Sequence, residues 1–194
     1  MRLRLVLALL FSVLALTACA TRSASVPPVK AVQAAAYAPA AEGPYRLDSG
    51  DRLRVMVFGQ DGLSNSYTVD AGGSITMPLI GAVKARGLTT AQLAQAIAAR
   101  LRQGYIREPH VAVEVETYRP FFILGEVTHP GQYPYVARMT VETAVAIAGG
   151  FTPRAQKSYV ELTRAIDGQL ARARVPLTYP VQPGDTLNVA ERWF

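Results

Sequence analysis

The only cysteine of this 194-residue chain, Cys19, closes an apolar run that begins at Leu5, and the place of that thiol decides what can hold the rest together. Arg2 and Arg4 stand ahead of the run, and Thr17 and Ala18 sit just before the cysteine. A charged start, an apolar middle and small residues at a cleavage point are the parts of a secretory signal. The run is too short to span a bilayer, which takes about 20 apolar residues. A protein cut before Cys19 has no second thiol to pair with, so no disulfide can form within one chain and stability has to come from a buried core. About 150 residues remain beyond the signal and the segment after it, enough for one large domain or two small ones.

Leu16-Thr17-Ala18-Cys19 resembles the lipobox of bacterial lipoproteins. That resemblance implies cleavage before Cys19 and lipid attachment at its thiol, with residues 1–18 as the signal peptide; the alternative is a plain secreted protein with an incidental cysteine. Ala20, where an aspartate would imply retention, implies sorting to the outer membrane. Residues 19–44 are rich in Ala, Pro, Ser and Val, include Pro27-Pro28 and Ala34-Ala35-Ala36, and follow no strand or helix period, the composition of a linker. As a flexible coil this linker reaches roughly 25–30 Å. Formal charge is +6, from 20 basic and 14 acidic residues, and removing Arg2 and Arg4 leaves 18 against 14, or +4. The basic residues are scattered and the chain reads as exported, so nucleic acid is not an expected partner, while an anionic glycan or lipid headgroup is compatible.

The folded part opens at Tyr45. A Gly50-Asp51 turn precedes Leu53, Val55 and Val57, which alternate with Arg52, Arg54 and Met56 as in a half-buried strand. Residues 67–69 and 75–79 read as a second pair of strands around the Asp70-Ala71-Gly72-Gly73-Ser74 turn. Thr89 and Gln92 have capping-box spacing, Leu93, Ile97 and Leu101 recur at helical intervals, and Gly104 is placed to end the helix. Val111, Val113 and Val115 alternate with Ala112, Glu114 and Glu116 in a strand with one wet face.

A second unit starts near Arg119-Pro120. Residues 121–127 form a mostly apolar strand, and Gly125-Glu126-Val127-Thr128-His129-Pro130-Gly131 turns the chain into residues 132–136. Thr140 caps a short helix with Val141, Ala144, Val145 and Ala148 on its apolar side and Gly149-Gly150 at its end. Residues 159–164 and 170–175 flank Asp167-Gly168, a hairpin signal, and residues 187–189 follow a Gly184-Asp185 turn. The expected class is α+β: a small domain of strands with one main helix over residues 45–118, then a second strand-and-helix module over residues 119–194.

These pieces in this order resemble the bacterial outer-membrane polysaccharide export lipoproteins and their soluble-ligand-binding β-grasp module. The resemblance rests on the lipobox, on Tyr45-Arg46-Leu47 through Gly50-Asp51-Arg52-Leu53-Arg54-Val55, on residues 70–81 with Pro78 and Gly81, and on the helix ending at Gly104. In the second unit it rests on Gly125-Glu126-Val127, Pro130-Gly131, Tyr133, the helix over residues 140–150, and Gly184-Asp185 with Leu187 and Val189. It implies a β-grasp fold for the second unit and a homo-oligomeric ring in the periplasm. That ring is tethered to the outer membrane by its lipid and works with an inner-membrane co-polymerase to pass capsule or exopolysaccharide outward. Larger members carry repeated β-grasp modules and a C-terminal amphipathic pore helix. This sequence has one module and ends at Trp193-Phe194, so the expected route across the outer membrane is a separate barrel protein. A lipid-anchored glycan-binding module that does not conduct polymer is the competing reading.

Catalytic candidates are few. His110 and His129 are the only histidines, neither a metal-ligand cluster nor a Cys/His pair is evident, and no cofactor is expected. Asp51, Asp70 and Asp185 could be arranged as a glycan-cutting carboxylate pair, but each lies at a turn signal where aspartate is favoured for backbone reasons. An enzyme is therefore not expected. Tyr179 to Leu187 resembles the opening of a LysM module, yet too little chain follows to complete one, so a turn and a final strand are the expected structure. Arg172 and Arg174 share one face of a strand; a solvated face is the plainer reading, and an acidic sugar or a neighbouring subunit's carboxylates the other. Tyr105, Tyr118, Phe121, Phe122 and Tyr133 could stack on sugar rings or serve packing.

Overall fold

The computed structural model describes residues 43–166 and 168–193. Cys19, the signal segment and most of the linker lie outside the described residues, as do Asp167 and Phe194. Two buried clusters organise the described chain, one built from residues between Leu47 and Val113 and one from residues between Phe121 and Val189.

In the first module β1 (Arg52–Val57) is the middle strand of a three-stranded antiparallel sheet, between β2 (Asn65–Thr68) and β5 (Val111–Thr117). Its alternation is as the sequence predicts: Leu53, Val55 and Val57 are buried and Arg52 and Arg54 face water. The pairing between β1 and the next strands differs from the expectation. Residues 65–68 pair with β1, whereas β3 (Ser74–Met77) forms its own hairpin with β4 (Gly81–Lys84), a strand not legible in the sequence. A 3-10 turn at Asp61–Leu63 was likewise not expected. Helix α1 (Thr90–Leu101) carries the expected capping box, the Thr89 hydroxyl accepting from the Gln92 N–H and the Gln92 side chain accepting from the Thr89 N–H. Leu93, Ile97 and Leu101 bury its apolar stripe against Leu53, Val55, Ile75 and Val83.

The second module is a five-stranded mixed sheet in the order β7-β6-β10-β8-β9, with β6 at Phe121–Gly125, β7 at Gly131–Tyr133, β8 at Val160–Ile166, β9 at Gln169–Val175 and β10 at Thr186–Val189. β10 runs parallel to β6 and antiparallel to β8, so a strand contributed late in the sequence lies in the middle of the sheet. Helix α2 (Val141–Ile147), capped by the Thr140 hydroxyl, sends Val141, Ala144 and Val145 into the cluster that holds Phe121, Ile123, Leu162 and Leu187. This is an α+β, β-grasp-like arrangement. No described helix is long and apolar enough to cross a membrane.

Candidate functional site

Two Gly-Asp turns meet where the modules join. Gly50 (φ +92°) and Gly184 (φ +85°) supply the left-handed backbone each turn requires. The Asp51 carboxylate accepts the N–H of Asp48 at 2.9 Å, and the Asp185 carboxylate accepts the N–H of Gln182 at 2.7 Å. In both turns the aspartate's own N–H donates back to the carbonyl of the same residue, at 3.2 Å. The turn chemistry is as the sequence predicts, and the burial goes further: Asp51 is 0% and Asp185 1% exposed, the two buried charged residues among those described.

Buried carboxylates need partners, and each has an arginine and a tyrosine nearby. Asp185 takes a two-pronged contact from Arg164, with Nε at 2.8 Å and Nη2 at 2.7 Å, and that guanidinium lies 5.7 Å from the Tyr179 ring centre. Asp51 accepts the Tyr45 hydroxyl at 2.7 Å, the Arg119 N–H at 3.0 Å and Arg119 Nη1 at 3.5 Å, and Arg119 lies 5.9 Å from the Tyr45 ring centre. Burial, then the Asp51 contact, push the Tyr45 phenol far above its ordinary pKa. Burial alone would raise the Asp48 carboxyl, but the Ser49 N–H and the Arg86 and Arg119 cations outweigh it and lower its pKa.

Arg119 joins the two turns. Its chain passes over both glycines: a Cβ added to Gly184 would fall 2.7 Å from Arg119 Nε, and one added to Gly50 would fall 3.4 Å from its Cβ. Next to it the Gly184 N–H donates to the Pro120 carbonyl and the Phe122 N–H to the Asp185 carbonyl. Tyr45, Tyr118 and Tyr135 continue the contact edge to face, with centroids 4.9 and 5.5 Å apart. Each carboxylate thus ties a cation to a backbone N–H of its own turn.

Comparison with known protein families matches the chain twice in succession. Residues 39–116 match the model for polysaccharide biosynthesis/export proteins, and residues 120–172 match the SLBB domain. The two matches support a polysaccharide export protein family. Arg119 falls in the short gap between the two matches, and the SLBB match ends before β10, whose Leu187 and Val189 complete that module's core. Among individual relatives, the exopolysaccharide production protein ExoF of Rhizobium meliloti (strain 1021) is 36% identical over 118 residues, covering 55% of this chain and 28% of ExoF. The polysialic acid transport protein KpsD of Escherichia coli is 28% identical over 120 residues, covering 61% of this chain and 21% of KpsD. The chain thus spans about a quarter of the length of the curated relatives it matches.

The remaining residues that the export resemblance singles out are dispersed. Gly125 (φ +83°) packs against the Val189 carbonyl, and Glu126 accepts the Thr152 hydroxyl. Pro130 and Gly131 lead into β7, where Tyr133 donates to the His129 carbonyl at 2.6 Å and its ring lies against Phe121. Tyr133 therefore lies on the inner side of the sheet, whereas Arg172 and Arg174 lie exposed on the outer side of β9; the structure does not bring them together. Phe121 is buried and unable to stack on a ligand, Phe122 and Tyr105 are exposed, and Tyr118 belongs to the junction. His110 and His129 are exposed and lie on separate modules. Asp70 caps its own turn through the Ser74 N–H. Sequence reasoning missed Arg119, Arg164 and Tyr45; the repeated Gly-Asp signal was visible, but the cations that neutralise it come from distant positions.

Proposed function

We propose that this chain is a non-enzymatic component of a capsule or exopolysaccharide export machine, held at the outer membrane by lipid on Cys19 and facing the periplasm. Residues 1–18 act as the signal peptide, residues 19–44 give reach, and the export module (45–118) and SLBB module (119–194) assemble with those of other copies into a ring that passes polymer outward. An inner-membrane co-polymerase delivers the polymer and a separate outer-membrane barrel completes the route. The observation that carries this reading is the succession of an export match and an SLBB match on two modules clasped through Arg119. A closed ring repeats one rotation at every subunit, which favours a fixed angle between modules. The names of the relatives, exopolysaccharide production and polysialic acid transport, supply the class of cargo.

The test is extracellular polysaccharide in a strain lacking the chain, complemented with wild-type or Cys19→Ser protein. Loss of polymer, restored by wild type and poorly by Cys19→Ser, is the expected result. Unchanged secretion on deletion overturns the export reading.

A further inference from the structure

Among the described residues no helix packs on the outer face of the five-stranded sheet, because α2 lies on its inner side and α1 belongs to the other module. Ladder register places Phe122, Thr186, Thr163 and Arg172 in one row across β6, β10, β8 and β9. Leu124, Asn188, Glu161 and Arg174 form the next row. Each row spans about 14 Å and runs from an apolar end, where Phe122 is 39% and Leu124 47% exposed, to a guanidinium, through two hydroxyls in the first row and an amide and the Glu161 carboxylate in the second.

At the cationic end each guanidinium has a partner on the same face. Arg174 lies 4.9 Å from the Tyr159 ring centre and 3.5 Å from the Glu161 carboxylate, and Arg172 Nε donates to the Thr163 hydroxyl at 3.3 Å. In the middle of the rows, no side-chain hydrogen bond within the described residues engages Thr186 or Asn188. The core of a protein interface is depleted of charge and rich in aromatics. This face carries two guanidiniums against one carboxylate and uncommitted polar groups, with the Phe122 ring at one end and the Tyr159 ring and exposed Leu170 at the other. A sugar chain presents hydroxyls and CH faces together, and a planar guanidinium fork matches a carboxylate.

We propose that this face is the track along which an acidic, carboxylate-bearing polysaccharide lies, with Arg172 and Arg174 meeting its carboxylates and Phe122 and Leu124 its CH surfaces. The proposal rests on the export reading and names the class of polymer and where it is contacted. Contacts spread over an open face suit a polymer that must slide, which a tight pocket would stop.

The test measures binding of hyaluronan oligosaccharides, which carry a glucuronate in every repeat, and of uncharged dextran to the full lipidated chain in detergent. Wild type is expected to bind hyaluronan and not dextran. Arg172→Ala/Arg174→Ala is expected to weaken hyaluronan at least tenfold, while Arg102→Ala/Arg107→Ala, which removes the same charge from the other module, stays within twofold. Equal binding of dextran, no hyaluronan binding by wild type, or an unaffected Arg172/Arg174 variant each overturns the proposal. So does a variant that changes oligomer mass and leaves hyaluronan binding intact, which would assign the face to a second copy. The deletion experiment is independent: polymer loss there with failure here removes the track and leaves the export reading standing.

Discussion

The carboxylate of Asp51 accepts the backbone N–H of Arg119 at 3.0 Å across 68 residues of sequence, so the last turn before β1 grips the chain where it enters the second module. Because Asp51 is buried in one module and Arg119 lies over Gly184 of the other, the junction has the packing of a core.

Removing the guanidinium alone should loosen this joint. Arg119→Met keeps the side-chain stem but not the charge. Each module's fold is expected to survive by circular dichroism while limited proteolysis between residues 117 and 121 speeds up and small-angle scattering shows a broader range of shapes. Unchanged proteolysis and scattering would mean that the Asp51 contact to the backbone and the tyrosine contacts hold the modules without it.

Asp185→Ala leaves Arg164, whose side chain is only 11% exposed, without its carboxylate. Breaking one side of a buried ion pair costs about 3–5 kcal/mol. By contrast, Glu116→Ala, which breaks the exposed pair to Arg52, should leave the unfolding midpoint almost unchanged, because solvent screens that pair. Urea unfolding of the two variants gives the comparison.

Gly125→Ala should be severe. The added Cβ would fall 2.1 Å from the Val189 carbonyl, and φ is +83°, so strain and collision combine where β6 meets β10. A loss of at least about 2 kcal/mol is expected. At Gly59, where φ is +73° and the space is open, the same change should cost about 1 kcal/mol from backbone strain alone. Thermal unfolding separates the two.

The raised phenol pKa of Tyr45 gives a signed pH dependence. A group that holds its proton more tightly when folded contributes stability that is complete below its unfolded pKa, about 10, and is lost as pH rises above that value. Wild type should therefore lose stability above about pH 10, and Tyr45→Phe should lose less over the same interval. Identical alkaline profiles in chemical denaturation would rule out Tyr45 as a contributor.

Local signals were legible where they acted locally. The Thr89–Gln92 capping box, the Leu93-Ile97-Leu101 stripe and the alternation of β1 and β5 each express a short-range rule, and all appear in the structure. The hairpin of β3 and β4 was obscured because its tip runs through Pro78 and Leu79, the latter in a left-handed conformation (φ +68°) that a leucine does not advertise. The parallel pairing of β10 with β6 depends on closing a long loop, for which no short pattern exists. Asp51 and Asp185 were legible as turn residues, but that they would be buried with Arg119 and Arg164 was not, since burial and ion pairing are properties of the assembled fold.

The central position of β10 also sets an order of events as the polypeptide is made. When a ribosome has finished β8 and β9, the sheet still has an empty lane between β6 and β8, and only residues 186–189 can fill it. Until they emerge, Ile123 and Leu162 lack the strand that separates and covers them, so this module stays unfinished through nearly all of its own synthesis. The core of the second module therefore waits on its last described strand, however early the separate core of the first module forms.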